Sequence, residues 1–182
     1  MAAQKRYAIV IDSRKCIACR ACSVACRAEN NVPLAHSRNW LNEELRGSYP
    51  RLMAMSQPEQ CHHCDEPACV RVCPTGASYR RPDGIVAIND SECVGCRYCM
   101  IACPYDARFF RQDQGVVEKC DLCMKRVDRG EVPACVETCP SKVRVFGDIN
   151  DASSKAAQLL VGRQYRVKKA EAGTQPQLYF LL

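Results

Sequence analysis

Sixteen of the 182 residues are cysteine, and they fall into four runs of four. The runs are Cys16, Cys19, Cys22 and Cys26; Cys61, Cys64, Cys69 and Cys73; Cys93, Cys96, Cys99 and Cys103; and Cys120, Cys123, Cys135 and Cys139. The third run, followed by Pro104, matches C-x₂-C-x₂-C-x₃-C-P, a spacing by which thiolates bind cubane [4Fe–4S] clusters. In this motif three cysteines wrap one cluster and the fourth ligates its neighbour, so such runs work in pairs.

The other three runs depart from the full motif in different ways. The first lacks the closing proline and has Arg27 there instead, and the second widens the middle gap. The fourth inserts residues 124–134 between its second and third cysteines, but it keeps the Cys-x₃-Cys-Pro ending at Pro140. Four related runs indicate an internal repeat with uneven insertions, and therefore a duplicated architecture.

Two other uses of cysteine fit the pattern less well. Structural zinc sites use two C-x₂-C pairs separated by a longer spacer, whereas the compact runs here crowd four thiolates together. A disulfide scaffold is typical of small secreted domains, and the polar stretch Met1 to Arg6 does not resemble a secretory signal. Zinc remains an alternative, as an interaction module.

The formal net charge of +6 treats every cysteine as neutral. A cubane core of about +2 with four thiolates nets about −2, so four clusters would add about −8 and leave the protein near −2. We therefore interpret the basic surplus as compensation for buried clusters and expect no nucleic-acid partner. The basic residues closest to cysteines in sequence are Lys15, Arg20, Arg27, Arg71, Arg97, Lys119, Lys125 and Lys142.

Short strand patterns flank the cysteine runs. The sequence predicts strands at 7–12, 77–81, 84–89, 107–111, 116–118 and 143–148, with the last able to pair with the first. Short helices are expected within each run, and a longer one from Ser153 to about Gly162. These patterns predict an α+β fold of duplicated bacterial-ferredoxin-like cluster-binding domains, in which short hairpins and short helices surround clusters.

The predicted domain organisation has two halves. Residues 1–30 with 115–150 form the first ferredoxin-like half, and residues 57–114 form an inserted second half. Residues 31–56 are an insertion, and residues 151–182 are a C-terminal helix and tail. The insertion and tail either pack on the core or dock on partner subunits.

The remaining polar residues do not suggest bond-making chemistry. His62 and His63 lie between two cysteines, but that run already has four thiolates, so a loop role is expected for both. No nucleophile with a base, phosphate loop or paired-carboxylate site is recognisable. We expect a non-catalytic electron-transfer protein. The longest apolar runs are far too short to span a membrane.

The sequence resembles the four-cluster iron–sulfur (B) subunit of the DMSO reductase family of molybdenum or tungsten oxidoreductases, with its polysulfide reductase branch closest in pattern. The matching segments include 58–64, 73–79, 103–108, 132–140 and 146–148, and the resemblance covers nearly the whole length. It implies four ligand sets: Cys16, Cys19, Cys22 and Cys139; Cys120, Cys123, Cys135 and Cys26; Cys61, Cys64, Cys69 and Cys103; and Cys93, Cys96, Cys99 and Cys73. Because Cys96 is present, the last set is expected to hold four irons.

The resemblance also implies partners. A molybdopterin-containing catalytic subunit would carry out the chemistry, a membrane-anchor subunit would handle quinone or quinol, and this protein would connect them. The implied location is peripheral on the cytoplasmic membrane, at the periplasmic face, with the cytoplasmic face as the alternative. The competing hypothesis from another class is a free-standing soluble polyferredoxin.

Overall fold

The structure, a computed structural model, describes residues 4–182. The strands are β1 (Tyr7–Ile11), β2 (Asn39–Ser48), β3 (Arg51–Gln60), β4 (Ser78–Arg80), β5 (Val86–Ile88), β6 (Arg108–Arg111), β7 (Val116–Lys119), β8 (Arg144–Asp148), β9 (Tyr165–Arg166) and β10 (Leu178–Leu181). The α-helices are α1 (Ala21–Asn30), α2 (Ala68–Arg71), α3 (Tyr98–Ile101), α4 (Met124–Val127), α5 (Ala134–Glu137) and α6 (Lys155–Gly162). Small helices and several small sheets make up the expected α+β fold.

The largest sheet has four strands in the order β8-β1-β10-β9. β1 pairs antiparallel with β8, as the sequence predicted, and parallel with β10. Strand β10 is buried along its whole length, so its four residues pack on the core, whereas most of the tail before it is exposed or half-buried. The parallel pairing joins segments near the two ends of the sequence, since Ile9 is in register with Leu178.

This sheet is covered on both faces. Ile9, Ile11 and Phe180 belong to the core that also contains cysteines, whereas Val10 and Leu181 pack in a second core against α6. This alternation follows from the two-residue period of a strand. Helix α6 lies very close to β8, because a Cβ on Gly147 would come within 2.2 Å of the Ser154 hydroxyl and 3.1 Å of the Ala156 Cβ.

Two short hairpins surround the second and third cysteine runs. β4 pairs with β5 and β6 pairs with β7, both antiparallel, in the places that the sequence predicted. Gly84 closes the first hairpin with a φ of +88°, a left-handed conformation that glycine adopts at little cost. The helices near the runs are mostly single turns of four residues, so loops rather than long elements position the thiols.

A long hairpin, β2–β3, covers residues 39–60, which include most of the predicted insertion at 31–56 and the first residues of the predicted second half at 57–114. Its two strands pair over ten positions, from Asn39 opposite Gln60 at the base to Ser48 opposite Arg51 at the tip. The base residues are buried and the outer half is exposed. Among residues 4–182, no helix is both long enough and apolar enough to cross a bilayer.

Candidate metal centres

The sixteen cysteines converge as four groups, each drawing on two runs. Group I is Cys16, Cys19, Cys22 and Cys139; group II is Cys26, Cys120, Cys123 and Cys135; group III is Cys61, Cys64, Cys69 and Cys103; and group IV is Cys73, Cys93, Cys96 and Cys99. The groups have the same membership as the ligand sets that the resemblance implies. All sixteen are free thiols, without disulfides.

Groups I, III and IV each line a compact cavity. Each cavity, counted together with the open space at its mouth, has nearly the same volume, about 340, 340 and 330 Å³, respectively. Nearly equal volumes lined by four thiols suit three copies of one occupant. Group II has no such cavity among those described, and its thiols are more deeply buried, with Cys26, Cys120, Cys123 and Cys135 all in the core.

The loops of the first and third runs share an unusual backbone. Ala18 and Arg20 have φ values of +56° and +57°, and the equivalent residues Gly95 and Arg97 have +66° and +64°. These residues lie two and four positions after the first cysteine of each run. Their left-handed conformations turn each loop around the space between its cysteines. Non-glycine residues rarely adopt them, and strain of this kind is concentrated at functional sites.

Backbone N–H groups point at several of the sulfur atoms. The Val143 N–H donates to Cys139 Sγ at 3.3 Å, and the Ser78 N–H donates to Cys73 Sγ at 3.4 Å. In the second case burial raises the pKa of the Cys73 thiol, but the Ser78 N–H and the Thr75 hydroxyl outweigh it and lower that pKa overall. These donors are arranged to stabilise a thiolate.

Burial raises the pKa of several other thiols, so these would be protonated without a bound cation. Burial, followed by the neighbouring thiols, raises the pKa of Cys26 to about 12, and burial raises the pKa of Cys64 to about 12. The pKa of Cys135 reaches about 11, with burial again the largest cause. Metal coordination must therefore displace these protons, which couples metal binding to folding.

The four groups form a series. Cys22 of group I is close enough to Cys135 of group II for its charge to raise the pKa of that thiol, and Cys61 of group III acts in the same way on Cys120 of group II. Cys69 of group III acts in turn on Cys99 of group IV. The two exposed cysteines, Cys19 and Cys96, belong to groups I and IV at the two ends.

Buried, unpartnered donors indicate the charge that belongs in this interior. Arg108 lines the cavities of groups III and IV, and its Nη1 has no hydrogen-bond partner within residues 4–182. Arg144 lines the cavity of group I, and its Nε and Nη2 are likewise unpartnered within that range. A guanidinium is buried without compensation only at high cost, so an anionic occupant fits these cavities. A cluster with four thiolates has that charge.

A single metal ion fits the geometry less well. Within the described part of the sequence, no three His, Cys, Asp or Glu side chains converge tightly enough to hold one ion. Tetrahedral zinc requires four sulfur atoms at about 2.3 Å from one centre. The wider thiol-lined cavities suit a polynuclear cluster.

Sequence proximity selected mainly exposed basic residues. Of the eight cations chosen because they are close to cysteines in sequence, only Lys119 is buried; Arg27 is partly buried and most of the others are exposed. The buried arginines, Arg108 and Arg144, were missed. A signal was present, because each lies five residues after a cysteine that precedes a proline, Cys103 and Cys139.

The two adjacent histidines are buried and have roles in packing and hydrogen bonding. His62 stacks on Tyr105 with ring centroids 3.7 Å apart and lies 3.6 Å from a Glu59 carboxylate oxygen. His63 Nδ1 accepts the Val86 N–H at 3.1 Å, so its proton is on Nε2. Burial, followed by the charge of Lys119, holds the pKa of His63 well below its usual value.

Comparison with known proteins places the whole sequence in one family. The 4Fe–4S dicluster domain matches residues 52–149, and a second 4Fe–4S dicluster domain matches residues 15–78. The B subunit of tetrathionate reductase from Salmonella typhimurium is 42% identical, with 97% of this protein and 72% of the relative aligned. The B chain of polysulfide reductase from Wolinella succinogenes is 38% identical over 97% of this protein and 94% of the relative. A putative dimethyl sulfoxide reductase iron–sulfur B subunit from Halobacterium salinarum is 40% identical over 96% and 78%.

Proposed function

Because this protein belongs to the iron–sulfur electron-transfer subunits of the DMSO reductase family, we propose that it connects a quinone-binding membrane subunit to a molybdopterin-containing catalytic subunit. The [4Fe–4S] clusters supply one-electron redox chemistry, and the residues of this protein bind, separate and insulate them. The observation that carries the proposal is the series of four cysteine groups with one exposed thiol at each end.

The proposal assigns one [4Fe–4S] cluster to each cysteine group. Support comes from three thiol-lined cavities of nearly equal volume, and from the N–H donors and unpartnered guanidinium groups that face an anionic occupant. Groups I and II draw on runs one and four, and groups III and IV on runs two and three. We therefore also propose the division into a half formed by 1–30 with 115–150 and an inserted half formed by 57–114.

The proposed direction of the series puts group I next to the catalytic subunit and group IV next to the membrane subunit. Groups I and IV, at the two ends of the series, each have one exposed thiol, and this arrangement suits one partner subunit at each end. The substitution pair Cys96→Ser and Cys19→Ser tests this polarity, because each removes one exposed ligand of an end cluster.

In the purified complex, quinol should fail to reduce the remaining clusters of the Cys96→Ser variant. Quinol should still reduce the remaining clusters of the Cys19→Ser variant, although turnover with the terminal acceptor stops. A small dye that reduces the catalytic subunit directly should support turnover in both variants. Electron paramagnetic resonance after quinol addition, with a check that all subunits co-purify, reports the result. The reverse pattern would mean that the assigned polarity is wrong.

We further propose that the complex lies at the periplasmic face of the cytoplasmic membrane. The resemblance supports this location, and the cytoplasmic face is the alternative. A membrane-impermeant amine reagent applied to intact spheroplasts should label the exposed Lys155. Labelling that requires lysis would place the subunit on the cytoplasmic side.

A further inference from the structure

The described interior contains three buried lysine or arginine residues, and none of them is paired with a carboxylate. Arg108, Lys119 and Arg144 are 4%, 3% and 2% exposed, respectively, and no ion pair joins any of them to an acid within residues 4–182. Their hydrogen-bond acceptors are neutral: the Ser78 hydroxyl for Arg108, the Val86 and Cys120 carbonyls for Lys119, and the Gln60 amide oxygen for Arg144.

The buried acids behave in the opposite way. Each of the three in the same interior has a cationic partner: Asp12 with Arg14, Glu59 with Lys168, and Glu118 with Arg38. A buried charge without a partner of opposite charge costs free energy of folding, and in this interior every buried acid has such a partner. The three cations must therefore be compensated by something other than side-chain carboxylates.

Their positions identify the source of that compensation. Arg144 lines the cavity of group I together with Cys16, and it is close enough to Cys135 of group II for its charge to act on that thiol. Lys119 binds the Cys120 carbonyl of group II and the carbonyl of Val86, a residue that lines the cavity of group III. Arg108 lies among Cys61 and Cys69 of group III and Cys99 of group IV.

Four groups in series have three junctions, and each junction contains one of these cations. We propose that Arg144, Lys119 and Arg108 are positioning residues for electron transfer, each sharing its charge between the two clusters that flank its junction and raising the reduction potential of both. The inference rests on the proposed ligand sets. It adds a role for residues that bind no iron.

The physical basis is the charge that each electron brings. Reduction takes a cluster with its thiolates from about −2 to about −3, so a nearby cation in a low-dielectric interior stabilises the reduced form. Because each cation lies between two clusters, it also screens their mutual repulsion when an electron passes from one to the next. Exposed cations are screened by water and contribute much less.

Charge removal at one junction tests the idea. Arg108→Met keeps the approximate size of the side chain and removes its charge, and Arg108→Lys keeps the charge. In the assembled complex with full iron content, Arg108→Met should lower the one-electron reduction equilibrium constants of clusters III and IV by at least about tenfold, which is about 59 mV. Clusters I and II should shift less than about twofold. Arg108→Lys should recover most of the difference.

Reciprocal variants and a surface control complete the design. Arg144→Met should shift clusters I and II instead, and Lys119→Met should shift clusters II and III. Arg71→Met is the control, because Arg71 is exposed and lies two residues from both Cys69 of group III and Cys73 of group IV. Its effect should be less than about twofold. Redox titration followed by electron paramagnetic resonance gives all of these values.

Several outcomes would overturn the proposal. Raised potentials after charge removal would indicate water entry rather than lost charge. Equal shifts at all four clusters, or equal shifts for Arg108→Met and Arg108→Lys, would exclude a local charge effect. If the Arg108→Met complex fails to retain iron, iron retention by Arg108→Lys supports a role for the positive charge. Iron loss in both variants would show that the arginine acts only through packing. A wild-type complex with fewer than four clusters would instead contradict the ligand sets.

Discussion

Two regions of this molecule are stabilised in different ways. The sheet layer, defined as β8-β1-β10-β9 with α6, has a second apolar core that contains no cysteine. The hairpin body, defined as β4–β5 and β6–β7 with the second and third cysteine runs, packs against cavities lined by thiols. One region therefore has side-chain packing on both faces, and the other depends on what fills its cavities. The difference indicates that the clusters act as the core of the hairpin body.

Removal of iron should have the largest effect on the difference in stability between the sheet layer and the hairpin body. Without clusters, buried thiols and the unpaired Arg108 remain around cavities, so the hairpin body should unfold. We expect the apoprotein to be largely unfolded, with any residual protection confined to the sheet layer. Hydrogen exchange after anaerobic chelation should be fast at Val86 and Val117 and slowest at Val10 and Phe180. A native-like cooperative melt of the apoprotein would show that packing suffices in both regions.

A glycine in the hairpin body offers a more selective perturbation. Gly95 has a φ of +66°, and a Cβ there would come within 2.4 Å of the Gly115 carbonyl oxygen. Gly95→Ala should displace the loop that carries Cys96 and lower the occupancy of cluster IV. The backbone alone should cost about 1–2 kcal/mol. Iron analysis should give up to about four irons fewer per molecule, the content of one cubane. Gly76→Ala is the control for a left-handed glycine, because a Cβ there meets nothing within 4 Å. An unchanged iron content in Gly95→Ala would contradict this account of the loop.

Phe180 lies on the side of the sheet layer that faces the cysteine-containing core. It is 2% exposed, and its replacement by alanine should lower stability by about 3–5 kcal/mol, as expected for a buried aromatic residue. Thermal scans of the holoprotein at one scan rate should show a lower apparent melting temperature, with a cluster spectrum that is normal before melting. Loss of a cluster spectrum at low temperature would mean that the sheet layer and the clusters are not separable.

The smallest expected effect is at the contact between β8 and α6. Gly147→Ala adds a methyl group where Ser154 and Ala156 leave no room, and overpacking of this kind costs about 1–3 kcal/mol. Iron content and reduction potentials should remain those of the wild type, because this contact belongs to the second core. Gly162→Ala, at the open end of α6, is the matched control. A shifted cluster potential in Gly147→Ala would show that the two cores are mechanically coupled.

The sequence predicted the strands next to cysteine runs better than the strands away from them. Strand β8 and its pairing with β1 were predicted, since both have short apolar patterns next to cysteine runs. The parallel pairing of β10 with β1 was not, because β10 lies in the tail after the last cysteine, where no cysteine motif indicates its position in the fold. The β2–β3 hairpin was also missed. Its exposed outer half alternates polar and apolar residues weakly, and Pro58 lies within its second strand.

The candidate site, like the fold, was predictable from the sequence in part. That the sixteen cysteines bind the clusters stays a prediction from their spacing, and the structure brings these side chains together in the four groups that the resemblance implied. Arg108 and Arg144 were missed because proximity in sequence does not measure proximity across a loop. Each follows a Cys-Pro turn by a fixed offset that became meaningful only once the fold was known.

The most direct test of the central claim is the metal content of anaerobically purified protein. Four cubane clusters require about sixteen irons and about sixteen acid-labile sulfides per molecule, in a brown protein whose absorbance bleaches on reduction. Iron and sulfide should also fall together, by about four each, in the Cys96→Ser variant if its cluster is lost. A colourless wild-type preparation with stoichiometric zinc and no labile sulfide would contradict the account.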